Sequence, residues 1–299
     1  MTDDGERPVA LVTGAAGGIG RATVARFAAA GWRVYATDAD EAALSAADWD
    51  GHSVSTARLD VTDADDRERV VDRVAAETGR LDCLVSLAGY ALPGPVLDVP
   101  SEAVRELYDV LVHGPTALVR TAFDDLVASE GRIVTVTSSL LRAVFPGTGH
   151  YAAAKAAAAR TTEAVRIECL DTPVSVTTVE PAWVDTPFER RAADRLPEDR
   201  RAAFDRTYRF HEAGRMLDGG PAAVSPARVA RTVYRAATAD RPRSVYPVGL
   251  PAVALWLAGL VPVGLADQIR TGVAETVTRF RSGRRRLRSF VDRLRRRVG

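Results

Sequence analysis

Tyr151 and Lys155 are the residues whose types and spacing most clearly point to chemistry. They stand four positions apart in the stretch HYAAAKAAAAR, which is predicted to be helical, so their side chains share one helix face. A free tyrosine has a pKa of about 10, and a nearby ammonium group is expected to lower it toward the neutral range where general acid–base catalysis works best. Ser138 ends a predicted strand 13 residues before Tyr151, so its hydroxyl can meet the same substrate oxygen.

Lys155 is also the only lysine among the 40 lysine and arginine residues of the chain. The arginine bias elsewhere is typical of G+C-rich codon usage, which leaves this one position unexplained. A guanidinium is bulky and essentially never gives up its proton, whereas an ammonium is compact, has three rotatable donors and can take part in proton transfer. The single lysine therefore indicates a position that requires an ammonium group.

A glycine-rich turn near the amino terminus forms a second candidate site. Gly14, Gly18 and Gly20 lie in LVTGAAGGIGRA, where the first predicted strand passes into the first predicted helix. The free N–H groups and the positive dipole end of a helix suit a pyrophosphate, and glycine allows close backbone approach to it. Asp38 follows 18 residues after Gly20, at the end of the second predicted strand, and is placed to bind a ribose 2′-OH. The pattern predicts a dinucleotide site.

Asp38 also favours one dinucleotide over another. A carboxylate at this position repels a 2′-phosphate, and neither Ala39 nor Gly17 supplies the basic side chain expected for NADP. We therefore predict NAD as the cofactor, with NADP as the less favoured alternative. Asp60 and Val61 follow the third predicted strand and suit the adenine edge, with a plain strand-end turn as the alternative.

The elements that must position these residues alternate along the chain. Short runs rich in Val, Thr and Leu predict strands, and the segments between them carry apolar residues at helical spacing. This alternation predicts an α/β protein with a doubly wound parallel sheet, a Rossmann fold covered by helices on both faces. No linker divides the sheet, so we predict a single dinucleotide-binding catalytic domain over residues 1–248.

Three motifs together resemble the short-chain dehydrogenase/reductase family. They are TGAAGGIG, the SS pair 13 residues before YAAAK, and PAWVDTPF; the resemblance covers residues 7 to 248 and is nearest to the branch acting on hydroxysteroids and lipid alcohols. It implies hydride transfer between NAD(P) and a lipophilic secondary alcohol or ketone, in a homodimer or homotetramer and without a metal. In this family Ser138 would orient the substrate, Tyr151 would be the acid/base and Lys155 would bind the nicotinamide ribose.

The resemblance also extends the cofactor site beyond the glycine turn. Thr186 would hold the nicotinamide carboxamide. The full expected set is Gly14, Gly18, Ile19, Gly20, Asp38, Asp60, Val61, Ala88, Gly89, Tyr151, Lys155, Pro181, Val184 and Thr186.

Two places depart from the family pattern. Ser86 and Leu87 replace the usual Asn-Asn before Ala-Gly, and Leu111 stands where the family has an Asn that holds a water linking the lysine to solvent. His113 lies roughly 200° further around an ideal helix, so it is interpreted as a packed helix residue and not as a substitute. Proton exchange is expected to be slower or routed differently. The alternative function is a catalytically weak, NAD-binding regulatory or scaffold protein attached to a membrane through its basic tail.

Residues 189–220 turn polar and irregular where the sheet would otherwise continue, which predicts a substrate lid. Apolar residues in this lid and in two loops favour a lipophilic pocket, although core packing is the alternative for any single one of them. They are Leu92, Val96, Leu140, Val144, Phe145, Trp183, Phe188, Phe204 and Met216.

Residues 249–299 are predicted to form a helical extension that is first apolar and then basic. Residues 279–297 contain ten arginines and one acid, with apolar side chains on one helical side. Such a helix can lie on an anionic membrane surface, and a solvated or oligomer-packing helix is the alternative. Nothing resembles base readout, so no specific nucleic acid is expected. An acidic amino terminus and two apolar cysteines predict a cytoplasmic protein, at the inner membrane surface where the tail attaches.

Overall fold

The computed structural model describes residues 7–49, 53–212 and 223–258 of the 299-residue chain. One compact unit extends to Val253, and a second unit begins at Ala254, of which residues 254–258 are described. The predicted end of the lid, with Met216, and the Arg-rich tail lie outside the described residues.

Seven parallel strands form one sheet in the order β3-β2-β1-β4-β5-β6-β7. They are β1 Val9–Thr13, β2 Arg33–Asp38, β3 Val54–Arg58, β4 Cys83–Ser86, β5 Arg132–Val136, β6 Ser175–Pro181 and β7 Val245–Val248. The strand order reverses between β1 and β4, and open α/β sheets bind ligands at such a point, outside the carboxyl ends of the strands. The predicted doubly wound parallel sheet is confirmed.

Eleven α-helices occur in the described part of the chain. They are α1 Gly18–Ala28, α2 Glu41–Ser45, α3 Ala64–Thr78, α4 Ser101–Tyr108, α5 Gly114–Thr121, α6 Phe123–Ala128, α7 Gly149–Glu168, α8 Phe188–Ala193, α9 Asp205–Glu212, α10 Pro226–Thr238 and α11 Leu250–Ala258. Short 3₁₀ turns span Ser139–Arg142 and Ala202–Phe204. Helices α1, α2 and α10 cover one face of the sheet with an apolar core, and α3, α5, α6 and α7 cover the other.

The helical segment after β4 is not regular throughout. A π-helical turn at Asp109–His113 separates α4 from α5. Pro115 at the start of α5 has no N–H to donate, which removes one regular helical hydrogen bond at this point. Gly114 brings the helix close to the end of β3, since a Cβ on it would lie 2.7 Å from the Val61 carbonyl oxygen. The π turn therefore lies where this segment packs closely against the chain after β3.

The π turn also decides the positions of two residues singled out in the sequence. Leu111 is buried in the turn and packs into the apolar cluster around Tyr151. His113 is exposed, so its interpretation as a packed helix residue is wrong. Of these two side chains, it is therefore Leu111 and not His113 that packs near the predicted catalytic residues.

Candidate active site

The three predicted catalytic residues meet beyond the carboxyl end of β5. Ser138 follows this strand, and Tyr151 and Lys155 lie on the first two turns of α7. Ser138 lies close enough to Tyr151 to lower the pKa of the phenol. The Lys155 Nζ lies 5.9 Å from the centroid of the Tyr151 ring and donates to the Val136 carbonyl oxygen at 3.2 Å. The helix brings an acid/base candidate and a cation to one place.

Alanine makes this close approach possible. Helix α7 has alanines on both sides of Lys155, and Ala152, Ala154 and Ala158 are buried against the rest of the protein. Alanine is the best helix former and presents only a methyl group, so the helix axis can lie close to the sheet. As a result Tyr151 and Lys155 are only 8% and 7% exposed.

Burial dominates the electrostatics of Tyr151. Removal of the phenol from water raises its pKa well above the usual value, and the hydrogen bond with Ser138 lowers the pKa by a smaller amount. The net direction is opposite to the one expected from the neighbouring Lys155. An ammonium at this distance does not offset the loss of hydration in the protein alone.

Burial acts on Lys155 in the other direction. It disfavours the charged form and lowers the pKa of the ammonium from 10.5 to about 8. The group is still mostly protonated at neutral pH, and its bond to the Val136 carbonyl replaces part of its lost hydration. A guanidinium would not respond in this way, because its proton is held too tightly.

Leu111 occupies the surroundings of this ammonium. A Cβ placed on Gly89 would lie 2.4 Å from the Leu111 Cδ2 and 3.9 Å from the Lys155 Nζ. An apolar side chain and the ammonium therefore flank the same glycine.

The glycine turn packs so closely against two other segments that side chains at its glycines would collide with them. Gly14 has a φ of +67°, and a Cβ on it would lie 2.8 Å from backbone atoms of Ala88. A Cβ on Gly18 would lie 2.6 Å from the Thr186 Cγ2. The turn after β1, the segment after β4 and the segment after β6 thus converge. Ile19 packs partly buried against the core below the turn.

Asp38 lies beside this turn. One carboxylate oxygen accepts from the Ala16 N–H at 3.0 Å, and the other accepts from the Asp40 N–H at 3.1 Å. The carboxylate is therefore fixed next to the glycine turn, where the sequence places a ribose. Asp60 is different, because its carboxylate accepts from the backbone and hydroxyl of Thr62 at 2.9 and 2.7 Å. This bonding is the strand-end turn that was the alternative to an adenine contact, and Val61 is buried next to it.

Three further predicted cofactor residues lie at the end of β6 and in the segment that follows it. Pro181 is the last residue of β6, and Val184 forms an isolated parallel bridge with Val224. The Thr186 hydroxyl accepts from the Phe188 N–H at 3.4 Å, while its methyl group faces Gly18. The sequence therefore identified residues that the fold gathers along one edge.

Thr13 is a site residue that sequence reasoning missed. Its buried hydroxyl accepts from the N–H groups of Leu87 and Ala88, both at 3.1 Å. It fixes the segment after β4 next to the glycine turn, although Ser86 and Leu87 replace the usual pair there. The position directly before Gly14 was the available signal.

The expected pocket residues divide into three groups. Leu92 and Leu140 are buried in the same cluster as Tyr151, and Phe188 stacks at a tilt against the Tyr151 ring with centroids 6.1 Å apart. Phe145 and Trp183 contact each other at 6.4 Å, and Phe204 is half-buried. Val96 and Val144 are exposed, so they do not form a buried wall.

Hydrogen bonds tie the described part of the lid to the loops around the cleft. The Asp98 carboxylate accepts from the Tyr208 hydroxyl at 2.7 Å and from the Arg201 N–H at 3.2 Å. His211 Nε2 bonds the Pro146 carbonyl oxygen at 3.0 Å. Helix α9 therefore lies across the apolar side of the site. Within residues 7–49, 53–212 and 223–258, no three His, Cys, Asp or Glu side chains cluster as a metal site.

The low pKa of Lys155 predicts that its replacement stabilises the protein. A pKa of about 8 instead of 10.5 corresponds to roughly 3 kcal/mol at neutral pH, reduced by the lost bond to Val136. Unfolded lysine binds its proton more tightly, so the penalty is complete below pH 8 and disappears as the pH rises toward 10.5. Urea unfolding without added cofactor should show Lys155→Met more stable than the wild type at pH 7, with a smaller difference at pH 10.

The matched control is Arg160→Met, which removes an 81% exposed cation from the same helix and should change stability little. A Lys155→Met variant less stable than the wild type at pH 7 would contradict a desolvated ammonium.

Comparisons with known proteins agree with this geometry. The family model described as short chain dehydrogenase matches residues 8–196. The chain is 36% identical over 200 residues to a cis-4-hydroxycyclohexanecarboxylate dehydrogenase from Sinomonas cyclohexanicum, covering 65% of this chain and 78% of that one. It is 33% identical over 223 residues to an L-fucose dehydrogenase from Oryctolagus cuniculus, covering 74% and 77%.

A solved structure extends the likeness across the fold. A short-chain dehydrogenase from Streptomyces avermitilis superposes with a TM-score of 0.73 at 28% identity, covering 92% of this chain and 98% of that one. The closely packed glycine turn, the neighbouring Ser138 and Tyr151, and the buried lysine thus occur in a fold and sequence that match one family. The chain belongs to the short-chain dehydrogenase/reductase family of oxidoreductases.

Proposed function

We propose that the protein is an NAD-dependent dehydrogenase or ketone reductase that transfers hydride between the cofactor and a lipophilic secondary alcohol or ketone. The observation that carries the proposal is the burial of the Tyr151 phenol and the Lys155 ammonium side by side, with the Lys155 Nζ 5.9 Å from the ring centroid and Ser138 placed to lower the pKa of the phenol. A protein that only binds a dinucleotide needs neither the phenol nor the serine.

In this proposal the chain's own residues handle the proton. The Ser138 hydroxyl holds the substrate oxygen, and the Tyr151 oxygen takes the proton from the alcohol in oxidation and returns it in reduction. Because burial raises the pKa of Tyr151, the phenolate depends on the Ser138 hydrogen bond and on positive charge nearby. Lys155 supplies one such charge, and oxidised nicotinamide, when bound, accepts the hydride and carries another.

The cleft residues would hold the cofactor along the edge of the sheet. Gly14, Gly18 and Gly20 would cradle the pyrophosphate, with Ile19 below them, and Asp38 would bind the adenine ribose. Lys155 and Tyr151 would bind the nicotinamide ribose, and Thr186 the carboxamide. Asp60, Val61, Ala88, Gly89, Pro181 and Val184 would complete the walls. This assignment is supported by the close packing of the segments after β4 and β6 against Gly14 and Gly18, which brings the predicted cofactor residues together.

The substrate class is supported by the apolar surroundings of Tyr151. Leu92, Leu140 and Phe188 pack in the same apolar cluster as the phenol, and apolar walls with few polar groups are typical of ligand pockets. The relative from Sinomonas cyclohexanicum is named for a ring that carries a hydroxyl group. We propose an alicyclic secondary alcohol, a class that includes the hydroxysteroid and lipid alcohols of the predicted branch.

Turnover tests the proposal. NADH formation would be followed over a panel of long-chain and alicyclic secondary alcohols from neutral to alkaline pH. The oxidation rate should rise with pH as Tyr151 loses its proton, and Tyr151→Phe should lower kcat by about 100- to 10,000-fold. Tyr234→Phe, on α10 across the sheet, is the matched control and should leave kcat unchanged.

The rival function is a catalytically weak NAD-binding regulatory or scaffold protein. Leu111 beside Lys155 is the observation that favours it, because the lysine has an apolar neighbour where the family holds a water. Wild-type protein that binds NADH but turns over no member of the panel would contradict the enzyme proposal. Turnover gained in Leu111→Asn alone would then identify the leucine as the cause.

The choice of NAD over NADP is tested at Asp38. Asp38→Asn keeps an acceptor for the Ala16 N–H but removes the negative charge beside the predicted ribose. The ratio of kcat/KM for NAD to that for NADP should fall by about tenfold or more, because the repulsion of a 2′-phosphate is lost. Asp40→Asn removes a neighbouring carboxylate, which caps α2, and should leave the ratio unchanged. An unchanged ratio in Asp38→Asn would contradict the assignment.

We also propose that the protein forms a homodimer or homotetramer.

We further propose that the Arg-rich tail attaches peripherally to an anionic membrane at its cytoplasmic side. None of the described helices is long and apolar enough to cross a membrane. The support for attachment is the ten arginines in residues 279–297. The full chain should sediment with phosphatidylglycerol vesicles at low salt and not with phosphatidylcholine vesicles. Binding that survives replacement of these arginines by glutamine would contradict the proposal.

A further inference from the structure

A buried ion pair lies next to the catalytic serine and has no role in the function proposed so far. The Arg142 Nε donates to the Glu180 Oε2 at 2.7 Å, and the Arg142 Nη2 donates to the Glu180 Oε1 at 2.8 Å. The Glu180 side chain is 2% exposed and the Arg142 side chain 23%. Two parallel bonds between a guanidinium and a carboxylate fix orientation as well as distance.

The arginine belongs to the turn that carries the serine. Arg142 is the last residue of the 3₁₀ turn Ser139–Arg142, and the Ser138 hydroxyl caps the start of this turn by accepting from the Leu140 N–H at 3.2 Å. The same serine lowers the pKa of the Tyr151 phenol. Movement of the turn would therefore move the serine relative to the phenol.

The glutamate belongs to the strand that leads to the cofactor side of the cleft. Glu180 is next to last in β6, directly before Pro181 and the segment that brings Thr186 to Gly18. The Ala182 N–H bonds the Val248 carbonyl oxygen at 3.0 Å, which anchors this segment to β7. The ion pair thus joins the serine turn to a well-fixed strand end.

The backbone pairing of β5 with β6 does not include this connection. Strands β5 and β6 are paired from Arg132 and Ser175 to Val136 and Val179, and the Thr137 N–H continues the ladder to the Val179 carbonyl oxygen at 2.9 Å. The ladder ends at this point, so the turn that starts at Ser139 is beyond it. A buried ion pair is weak evidence for stability, because apolar replacements of similar volume are often neutral.

We infer that Arg142 and Glu180 are positioning residues that hold the serine-bearing turn against the end of β6, so that Ser138 keeps its position beside Tyr151 when substrate binds. The inference rests on the proposed dehydrogenase function. Loss of the pair should lower kcat more than cofactor affinity, because the pair holds the catalytic serine and not the glycine turn.

The main test is the double variant Arg142→Met with Glu180→Met, which removes both charges and keeps most of the volume. Its urea unfolding midpoint should match that of the wild type. Its kcat should fall by about 10- to 100-fold, since misplacement by about 1 Å has effects of this size, while the KM for NAD stays within about threefold. The pH midpoint of oxidation should move upward, because the Ser138 bond that lowers the pKa of Tyr151 is weakened.

Arg80→Met is the matched control. Arg80 forms the same two-bond pair with Asp82 at 2.8 and 2.6 Å, just before β4 at the opposite edge of the sheet. Its removal should leave kcat and the pH midpoint unchanged. A double variant with wild-type kcat and pH midpoint would overturn the inference, as would an equal loss of kcat in Arg80→Met.

Two further measurements cover a double variant that does not fold and a wild type that is inactive. If the double variant does not fold, Arg142→Lys keeps the charge without the two parallel bonds; a lower kcat at an unchanged KM for NAD supports the inference, and wild-type kcat overturns it. If the wild type turns over no substrate, the proposed function fails separately. Crystal structures of the wild type and the double variant then decide: an unchanged position of the Ser138 hydroxyl relative to the Tyr151 hydroxyl overturns positioning, and a displaced one supports it.

Discussion

Burial of the Lys155 ammonium is the constraint on which the active site depends. The alanines of α7 allow the helix to approach the sheet, and this approach removes the ammonium from water and leaves it bonded to the Val136 carbonyl oxygen. The charge must then be carried by a group whose proton affinity can fall, which a guanidinium cannot do. A chain that otherwise uses arginine throughout keeps lysine at this position. Packing, electrostatics and residue choice therefore have one common cause.

The site is assembled by segments that are distant in sequence and adjacent at one edge of the sheet. Gly14 admits the segment after β4, Gly18 admits Thr186, and Thr13 binds the backbone of Leu87 and Ala88. Gly89, in the segment after β4, lies in the same way against both the Leu111 side chain and the Lys155 ammonium. Each contact needs either a missing side chain or a buried hydroxyl. The contacts that assemble the site therefore restrict which residue types can occupy these positions, and some of these residues, such as the glycines of the turn, also belong to the motifs of the family.

The sheet and most of the candidate site could be predicted because their signals are local. Apolar runs and glycine turns indicated the strands, and the Tyr151–Lys155 spacing indicated a shared helix face. The π turn could not be predicted, because it combines the effect of Pro115 with contact between Gly114 and Val61, which lie far apart in sequence. Arg142 and Glu180 are 38 residues apart, so their pairing required the fold. The raised pKa of Tyr151 depends on burial, which spacing does not reveal.

A nuclear magnetic resonance titration of the single lysine tests the central claim most directly. Protein labelled with ¹³C at the lysine Cε gives one lysine signal, because Lys155 is the only lysine in the chain. Without added cofactor, its chemical shift should titrate with a pKa of about 8. A titration near 10.5, the value of an exposed lysine, would show that the ammonium is hydrated and would contradict the account of this site.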